Sequence, residues 1–161
     1  MGYGSGSFYG KEWIDTVTLG SGLVIKNQSI GVANFSIGFT GFDGILGIGP
    51  VDLTAGTVSN TTTVPTVPDN LLSQRTISKE VLGIYYVPAS EPSSTGEITF
   101  GGVDDSVTTS SANYVSLTTT SPASSYWGIN QSISYGGTTI LSETAGIVDT
   151  GTTLILIATG K

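Results

Sequence analysis

The chain has 161 residues, with five Lys and Arg against 12 Asp and Glu, a net charge of −7 at pH 7, and neither Cys nor His. This composition excludes disulfides, thiolate chemistry, Ser-His and Cys-His catalysis and histidine metal sites, so proton transfer near neutral or acid pH has to use carboxylates. The scarcity of positive charge gives no electrostatic footprint for nucleic acid or an anionic membrane. Because only 11% of the residues are charged and 23 are Gly, the composition is typical of a turn-rich all-β protein.

The first 40 residues are predicted to be β structure that begins with a glycine-rich hairpin tip. Residues 3–7 (YGSGS) suit a tight turn, and residues 8–19 alternate apolar and polar positions as a returning strand does. A second turn at 20–22 leads into a strand at 23–25, and the β pattern continues over 30–39.

The middle of the chain predicts an apolar segment, a loop and a short helix. Residues 41–50 (GFDGILGIGP) form an apolar run whose glycines permit close approach of backbones. We expect this run to be buried, and a packed strand and turn explains it at least as well as a binding role. Residues 52–68 are expected to form a surface loop, followed by a short helix over 69–74 with Asp69 as its N-cap and a second short turn at 78–80.

The second half of the chain returns to β structure. Strands are predicted at 82–87, 97–100, 114–117 and 126–135, with turns at 90–95 and at the glycine pair 136–137, after which Ile140 and Leu141 continue the pattern. No apolar segment reaches the roughly 18 residues needed to span a bilayer, and the N-terminus does not have the pattern of a signal peptide. We therefore expect no membrane partner.

One acid stands out near the end of the chain, in residues 145–153 (AGIVDTGTT). Asp149 is the only carboxylate there, and Gly151 permits a tight turn beside it while neighbouring Thr hydroxyls can form hydrogen bonds. Apolar runs precede and follow this turn, and residues 154–158 (LILIA) are expected to be a second β-type run. An unpartnered charge between hydrophobic strands is costly, so Asp149 is either a structural turn residue bonded to nearby N–H groups or a functional carboxylate.

Two other chemistries use similar strings. Aspartyl-phosphate enzymes place a Lys directly after the nucleophilic Asp, whereas Thr150 occupies that position here. Actin-like ATPases have an Asp-x-Gly-Thr loop early in a long nucleotide-binding domain, whereas only eight residues follow Thr153. We therefore expect neither of these activities.

Six segments together carry a resemblance to a known family. In chain order they are 3–7, 42–47 (FDGILG), 69–71 (DNL), 101–104 (GGVD), 126–127 (YW) and 148–152 (VDTGT). Their order and spacing resemble the pepsin-like aspartic proteases, in particular the cysteine-free secreted enzymes of basidiomycete fungi, across essentially the whole chain. The resemblance implies an all-β, pepsin-like acid protease fold with one or two short helices. It also implies a peptide or protein substrate, no cofactor and no metal.

The same resemblance assigns roles to individual residues. It matches Asp149 to the second catalytic aspartate, and Tyr3 to the tyrosine of a flap that closes over a bound peptide. The other matched residues are substrate-binding: Gly4 and Ser5 at the flap tip, Phe42 and Ile45 in the apolar cleft walls, Tyr126 near the cleft, and Gly151 and Thr152 beside Asp149. We assign Trp13 and Trp127 to packing, and Asp43 to structural hydrogen bonds.

The match departs from the family in one respect. The family's first Asp-Thr-Gly precedes the flap, whereas this chain starts at the flap and contains a single Asp-Thr-Gly, at Asp149. The implied architecture is therefore an incomplete bilobal β-barrel, with 1–110 as the later part of the N-terminal lobe and 111–161 as the beginning of the C-terminal lobe. Aspartic proteolysis needs two carboxylates that share one proton. Activity of this chain alone is accordingly doubtful by this interpretation.

Two functions remain open at this stage. The first is an aspartic endopeptidase completed by another chain or by a homodimer, in which the Asp149 loop docks with residues 45–47 and two copies of Asp149 meet. The second is a catalytically inactive β protein or peptide-binding module. Unpaired strand edges are expected to favour association. Four Asn-x-Ser/Thr sequons, at Asn27, Asn34, Asn60 and Asn130, are compatible with an extracellular location.

Overall fold

The structure is a computed structural model that describes residues 1–91, 93 and 95–158. Six strands form three antiparallel two-stranded sheets in this described part of the chain, together with one short α-helix. The all-β expectation is therefore confirmed. Contacts divide the chain into two compact units, Met1–Ala112 and the residues from Asn113 onward. Among the described helices, none is long and apolar enough to cross a membrane.

The first unit is built on a long hairpin of strands β1 (Ser7–Gly20) and β2 (Leu23–Ile37). The two strands pair antiparallel, with Trp13 opposite Ile30, and register shifts interrupt the ladder at three places. The predicted strands at 23–25 and 30–39 are thus parts of one continuous strand. Such interruptions bend and twist a ladder without ending it, which allows a hairpin of this length to curve.

Helix α1 (Val67–Ser73) begins two residues earlier than predicted, and Asp69 is not its N-cap. The cap is Thr66, whose backbone N–H and hydroxyl donate to Asp69 Oδ2 at 2.7 and 2.8 Å. This is a capping box, in which the third helical residue reaches back to the cap. Pro68 fits the first turn because an N–H has no intrahelical partner there.

The core of the first unit is small and lies where α1 meets β2. Ile25 and Leu71 are fully buried, and they cluster with Val67 and Ile77. Two hydrogen bonds between the Gln74 side chain and the backbone of Lys26, at 3.0 and 2.8 Å, hold the helix end against the strand.

This core covers only the turn end of the hairpin. Trp13, farther along β1, is 57% exposed, so its assignment to packing is wrong. Alternation along a strand indicates which residues share a face, but it does not indicate how far along the strand a covering element extends.

A second sheet of the first unit pairs β3 (Leu82–Tyr85) with β4 (Glu97–Phe100). Strand β4 has the predicted bounds, whereas β3 ends two residues before the predicted end at residue 87. The predicted turn at 90–95 includes Pro92 and Ser94, which lie outside the described residues. Short 3₁₀ helices occupy Val51–Thr54 and Asp105–Val107, and residues 78 and 79 of the predicted turn at 78–80 form a bend.

The second unit is a hairpin of β5 (Gly128–Tyr135) and β6 (Thr138–Ile147), preceded by a 3₁₀ helix at Ala123–Ser125. Gly136 and Gly137 both have positive φ, +56° and +79°, as a two-residue type I′ turn requires, and this turn was predicted. The predicted strand at 114–117 is wrong, because only Leu117 forms a bridge, to Ile129.

Candidate active site

The backbone places Asp149 directly after β6, at the start of a closed turn. Val148 N–H donates to Trp127 C=O at 2.9 Å, which continues the pairing past the end of the strand. Thr152 N–H donates to Asp149 C=O at 3.3 Å and closes the turn. The position of the aspartate is thus fixed from both sides by main-chain hydrogen bonds.

The carboxylate of Asp149 receives one donor on each oxygen. Gly151 N–H donates to Oδ1 at 2.9 Å, and the Thr152 hydroxyl donates to Oδ2 at 2.5 Å. An ionised carboxylate offers about four acceptor sites, so these two bonds orient the group and leave further sites open. The bond from Gly151 is what a structural turn residue would make, and the remaining sites allow proton transfer or water binding.

Asp149 is exposed rather than enclosed by apolar strands, which corrects the sequence-based expectation. Residues 154–158 are not a strand, and Ile155 is 86% exposed. An apolar run becomes a strand only where another strand supplies ladder partners, and none pairs with 154–158 within the described part of the chain. The cost of an enclosed charge therefore does not arise in this structure.

Tyr126 and Trp127 lie beside the end of β6 in the second unit. Tyr126 N–H donates to Ala123 C=O at 3.0 Å, and its own C=O accepts Gly128 N–H at 2.8 Å. Because Trp127 C=O binds Val148 N–H, the 126–127 segment is tied to the backbone immediately before Asp149. The half-exposed ring of Tyr126 is thus carried by the same backbone framework as the aspartate.

In the first unit, residues 1–8 form the glycine-rich tip that the sequence predicts. Tyr3 N–H donates to Gly6 C=O at 2.7 Å, and Phe8 N–H donates to Met1 C=O at 3.0 Å. Gly4 and Ser5 stand at the exposed apex. The tip is a closed turn whose main-chain hydrogen bonds leave these apical residues available to a ligand.

The Tyr3 ring belongs to a row of aromatic contacts. It stacks on Phe8 with ring centroids 6.1 Å apart and meets Phe39 edge-on at 5.6 Å. Phe39 in turn meets Phe42 edge-on at 5.7 Å. Tyr3 keeps 40% of its surface exposed, and burial of the remainder raises the pKa of its phenol.

Phe42 and Ile45 lie in a segment that is less buried than expected. Phe42 is 53% exposed, Ile45 and Leu46 are also exposed, and no described strand includes any of residues 41–50. The expectation of a buried apolar run is therefore wrong for this structure. The core of this unit forms around α1 at the other end of the hairpin, so Phe42, Ile45 and Leu46 lie outside it.

The matched residues fall into two groups, one in each unit. The first unit holds Tyr3, Gly4, Ser5, Phe42 and Ile45; the second holds Tyr126, Asp149, Gly151 and Thr152. Sequence reasoning did not single out Phe39, which joins Tyr3 to Phe42. The glycines at positions 6 and 38, which allow the close approach, were the signal available in the sequence. Among the described residues, no group of three or more acidic side chains is placed to hold a metal ion.

Comparison with known proteins identifies the family. The family model described as "Eukaryotic aspartyl protease" matches residues 1–161. Polyporopepsin from Irpex lacteus is 62% identical over 160 residues, which are 97% of this chain and 47% of that protein. Rhizopuspepsin-1 from Rhizopus niveus is 36% identical over 162 residues, 98% of this chain and 39% of that protein. The chain therefore spans about half, or less, of the length of these relatives.

A solved structure agrees with these sequence matches. The crystal structure of an aspartic proteinase from Irpex lacteus superimposes with a TM-score of 0.94 at 60% identity, covering 99% of this chain and 48% of that one. The predicted pepsin-like fold and the resemblance that led to it are both confirmed. The chain belongs to the eukaryotic aspartyl protease family.

Proposed function

We propose that this chain supplies Asp149 as one of the two catalytic carboxylates of an aspartic endopeptidase. The observation that carries the proposal is the state of that carboxylate, which is exposed and held by one donor on each oxygen. Both donors lie within three residues of the aspartate. The group is therefore oriented while it still has acceptor sites for a water molecule or a second carboxyl group.

The chemistry needs a partner for this carboxylate. One carboxylate, in its ionised form, removes a proton from the attacking water, while the other, protonated, polarises the peptide carbonyl. Asp149 fits either role, since both use an oriented and accessible carboxyl group. The 161 residues contain one Asp-Thr-Gly, so the second carboxylate of the proposed enzyme comes from outside them, from further residues of the same protein or from a second chain.

The proposed substrate is a peptide with bulky apolar side chains next to the scissile bond. Tyr3, Phe42 and Ile45 support this, because they expose aromatic and aliphatic surface at the flap tip and in the segment that follows the hairpin. Burial of that surface by a substrate side chain yields roughly 25 cal/mol per Å² of apolar area removed from water. Gly4 and Ser5 at the apex add main-chain groups that can bond a peptide backbone.

We also propose that the protein is secreted. The sequons at Asn27, within β2, and Asn60, in a turn, have exposed side chains and left-handed φ of +55° and +66°. Their exposure leaves room for a glycan. At a third sequon, the Asn130 side-chain oxygen instead accepts the Thr118 hydroxyl at 2.7 Å. After expression in a secreting eukaryotic host, removal of N-glycans should lower the apparent mass, and Asn60→Gln should remove part of that shift. An unglycosylated product in such a host would count against secretion.

The test of the catalytic proposal is cleavage of a denatured protein at about pH 4, where a coupled pair of carboxyl groups can hold one proton. Asp149→Asn should abolish cleavage, and so should pepstatin, an inhibitor of aspartic proteases. The matched control is Asp104→Asn, because Asp104 also accepts a backbone N–H two residues ahead, that of Ser106 at 2.8 Å. Cleavage that survives Asp149→Asn would refute the proposal.

The concentration dependence of the rate identifies the source of the second carboxylate. A specific rate that rises with chain concentration indicates a second copy of the chain, and the molar mass from light scattering should rise with it. A rate restored only when a longer form of the protein is used indicates further residues of the same polypeptide.

A second candidate function is peptide binding without hydrolysis. The exposure of Tyr3, Phe42 and Ile45 favours it, because these side chains offer apolar contact area whether or not a second carboxylate is present. Binding of an apolar peptide that survives Asp149→Asn, with no cleavage by the parent chain, would support this function. Loss of binding in Phe42→Ala would assign it to the same surface.

A further inference from the structure

Two glycines allow the hairpin tip to cross the end of β2 at very short range. A Cβ atom on Gly6 would lie 2.3 Å from the Ile37 carbonyl oxygen, and one on Gly38 would lie 2.1 Å from the Ser5 carbonyl oxygen. Gly38 also has φ of +82°, in the left-handed region that L-residues rarely adopt. The tip and the strand end therefore touch backbone to backbone at this crossing.

The crossing brings Phe39, the residue after Gly38, against the ring of Tyr3. The two rings meet edge-on at 5.6 Å, and Phe39 meets Phe42 in the same manner at 5.7 Å. Both distances lie within the range of favourable aromatic pairs. Phe39 is half-buried, whereas Tyr3 and Phe42 are exposed, so Phe39 is the inner member of the three.

The main chain of the tip is not sufficient to hold it in one place. The main-chain pairing across the tip that the described residues show is short: Gly2 lies opposite Ser7, and hydrogen bonds join Met1 with Phe8 and Tyr3 with Gly6. A two-stranded ribbon of this length is marginally stable in water. Side-chain packing has to supply the rest of the order. Tyr3 obtains that packing from Phe8 within the tip and from Phe39 outside it.

We propose that Phe39 is a positioning residue that fixes the resting place of Tyr3 and couples it to Phe42. We call Tyr3, Phe39 and Phe42 the aromatic latch. The meaning of this latch for catalysis rests on the proposed function, in which Tyr3 closes over a substrate that Phe42 contacts. The packing itself does not depend on that function. A substrate side chain that binds against Phe42 would therefore affect the position of Tyr3, because Phe39 contacts both rings.

The test compares Phe39→Leu with Phe35→Leu. Leucine keeps apolar volume and removes the ring. Phe35 is a matched control because it lies on β2 and also stacks on a tyrosine of β1, Tyr9, at 5.6 Å. The readout is amide hydrogen exchange by NMR at Tyr3 and Phe8, whose N–H groups close the tip. Phe39→Leu should raise exchange at both amides about tenfold, and Phe35→Leu should leave them unchanged.

An internal reference separates loosening of the tip from loosening of the whole unit. Thr76 N–H donates to Leu71 C=O at 2.9 Å beside the buried core, and its exchange rate should not change in either variant. Phe42→Leu should raise tip exchange by a smaller factor, about threefold, because Phe42 reaches Tyr3 through Phe39. If Phe42→Leu leaves the exchange rates at Tyr3 and Phe8 unchanged, the proposed coupling between Phe42 and Tyr3 is refuted.

Unchanged exchange at Tyr3 and Phe8 in Phe39→Leu would overturn the latch. Failure of the proposed function has a different signature, which is cleavage that survives Asp149→Asn. The exchange experiment needs no activity, so the two failures are distinguishable. If the chain does cleave peptides, Phe39→Leu should raise KM for substrates with a bulky apolar side chain and change kcat less.

Discussion

Replacement of Gly38 by alanine is expected to destabilise the protein through the crossing of the hairpin tip and β2. The added Cβ would lie 2.1 Å from the Ser5 carbonyl oxygen and 2.7 Å from the Gly6 Cα. A normal C···O contact is about 3.3 Å, so the tip has to move by about 1 Å to admit the methyl group. The φ of +82° adds strain that is independent of this collision.

The two contributions can be estimated separately. An alanine held in the left-handed region costs about 1 to 2 kcal/mol. Displacement of the tip forfeits the edge-on contact of Tyr3 with Phe39 and weakens the hydrogen bond from Tyr3 N–H to Gly6 C=O, together about 1 to 2 kcal/mol. We therefore expect Gly38→Ala to lower the free energy of unfolding by about 3 kcal/mol.

Gly56→Ala isolates the strain. Gly56 also has a positive φ, +68°, but a Cβ there would have no atom within 4 Å. Urea unfolding followed by far-UV circular dichroism should show a loss of only about 1 to 2 kcal/mol for this variant, with the same m-value. Equal losses in the two variants would show that the crossing is not tight and would refute the reasoning.

Three further results are expected. Leu71→Ala should lower the free energy of unfolding by about 3 kcal/mol and Leu72→Ala, on the same helix but partly exposed, by less than half of that; equal losses in urea would place the core elsewhere. Burial and the Asp69 carboxylate raise the pKa of Glu80, so the folded state favours the protonated side chain. The contribution of Glu80 to stability is therefore present at acid pH and is lost as the pH rises through the folded-state pKa. The stability of Glu80→Gln relative to the parent should therefore increase from pH 3 to pH 7, and a pH-independent difference would contradict this. Thr152→Val, which removes a hydroxyl donor to the proposed catalytic carboxylate, should lower kcat while Thr152→Ser retains it; equal rates in peptide cleavage assays would count against that role.

Elements fixed by short-range chemistry were predictable from the sequence. The glycine pair at 136–137 requires positive φ, and the alternation in β1 requires an extended chain, so this turn and this strand are found where expected. The all-β class followed from the composition, and the pepsin-like fold followed from the resemblance of six segments to that family. The error at α1 was also local, because a Thr-Val-Pro-Asp string fits a cap at Thr66 better than one at Asp69.

The remaining errors concern burial, which depends on distant parts of a chain. Residues 41–50 and 154–158 are apolar, and hydrophobicity alone suggested that both are covered. A hydrophobic run indicates a tendency to leave water, but it carries no information about which element, if any, lies against it. The packing role predicted for Trp13 was wrong for the same reason, since its apolar character did not indicate that the side chain would stay exposed.

The candidate site shows the same division. Asp149 was found from its turn, and its two donors come from that turn. The role of Phe39 was not found, because it depends on the approach of residues 5–6 to residue 38, more than 30 positions away in sequence. Such an approach has no signature in a single sequence beyond the presence of the glycines.

The short range of the donors to Asp149 has a consequence for how this protein tolerates mutation. A substitution in the hairpin or at α1 can reduce the fraction of molecules that are folded, but it leaves the turn from Asp149 to Thr152 intact in those that remain. A loss of activity in the proposed enzyme would then reflect a smaller fraction of folded molecules. The geometry of the Asp149 carboxylate in each folded molecule would be unchanged. Sequence change in the hairpin and at α1 is thus limited by the amount of folded protein, whereas change within residues 149–152 is limited by the geometry of the carboxylate.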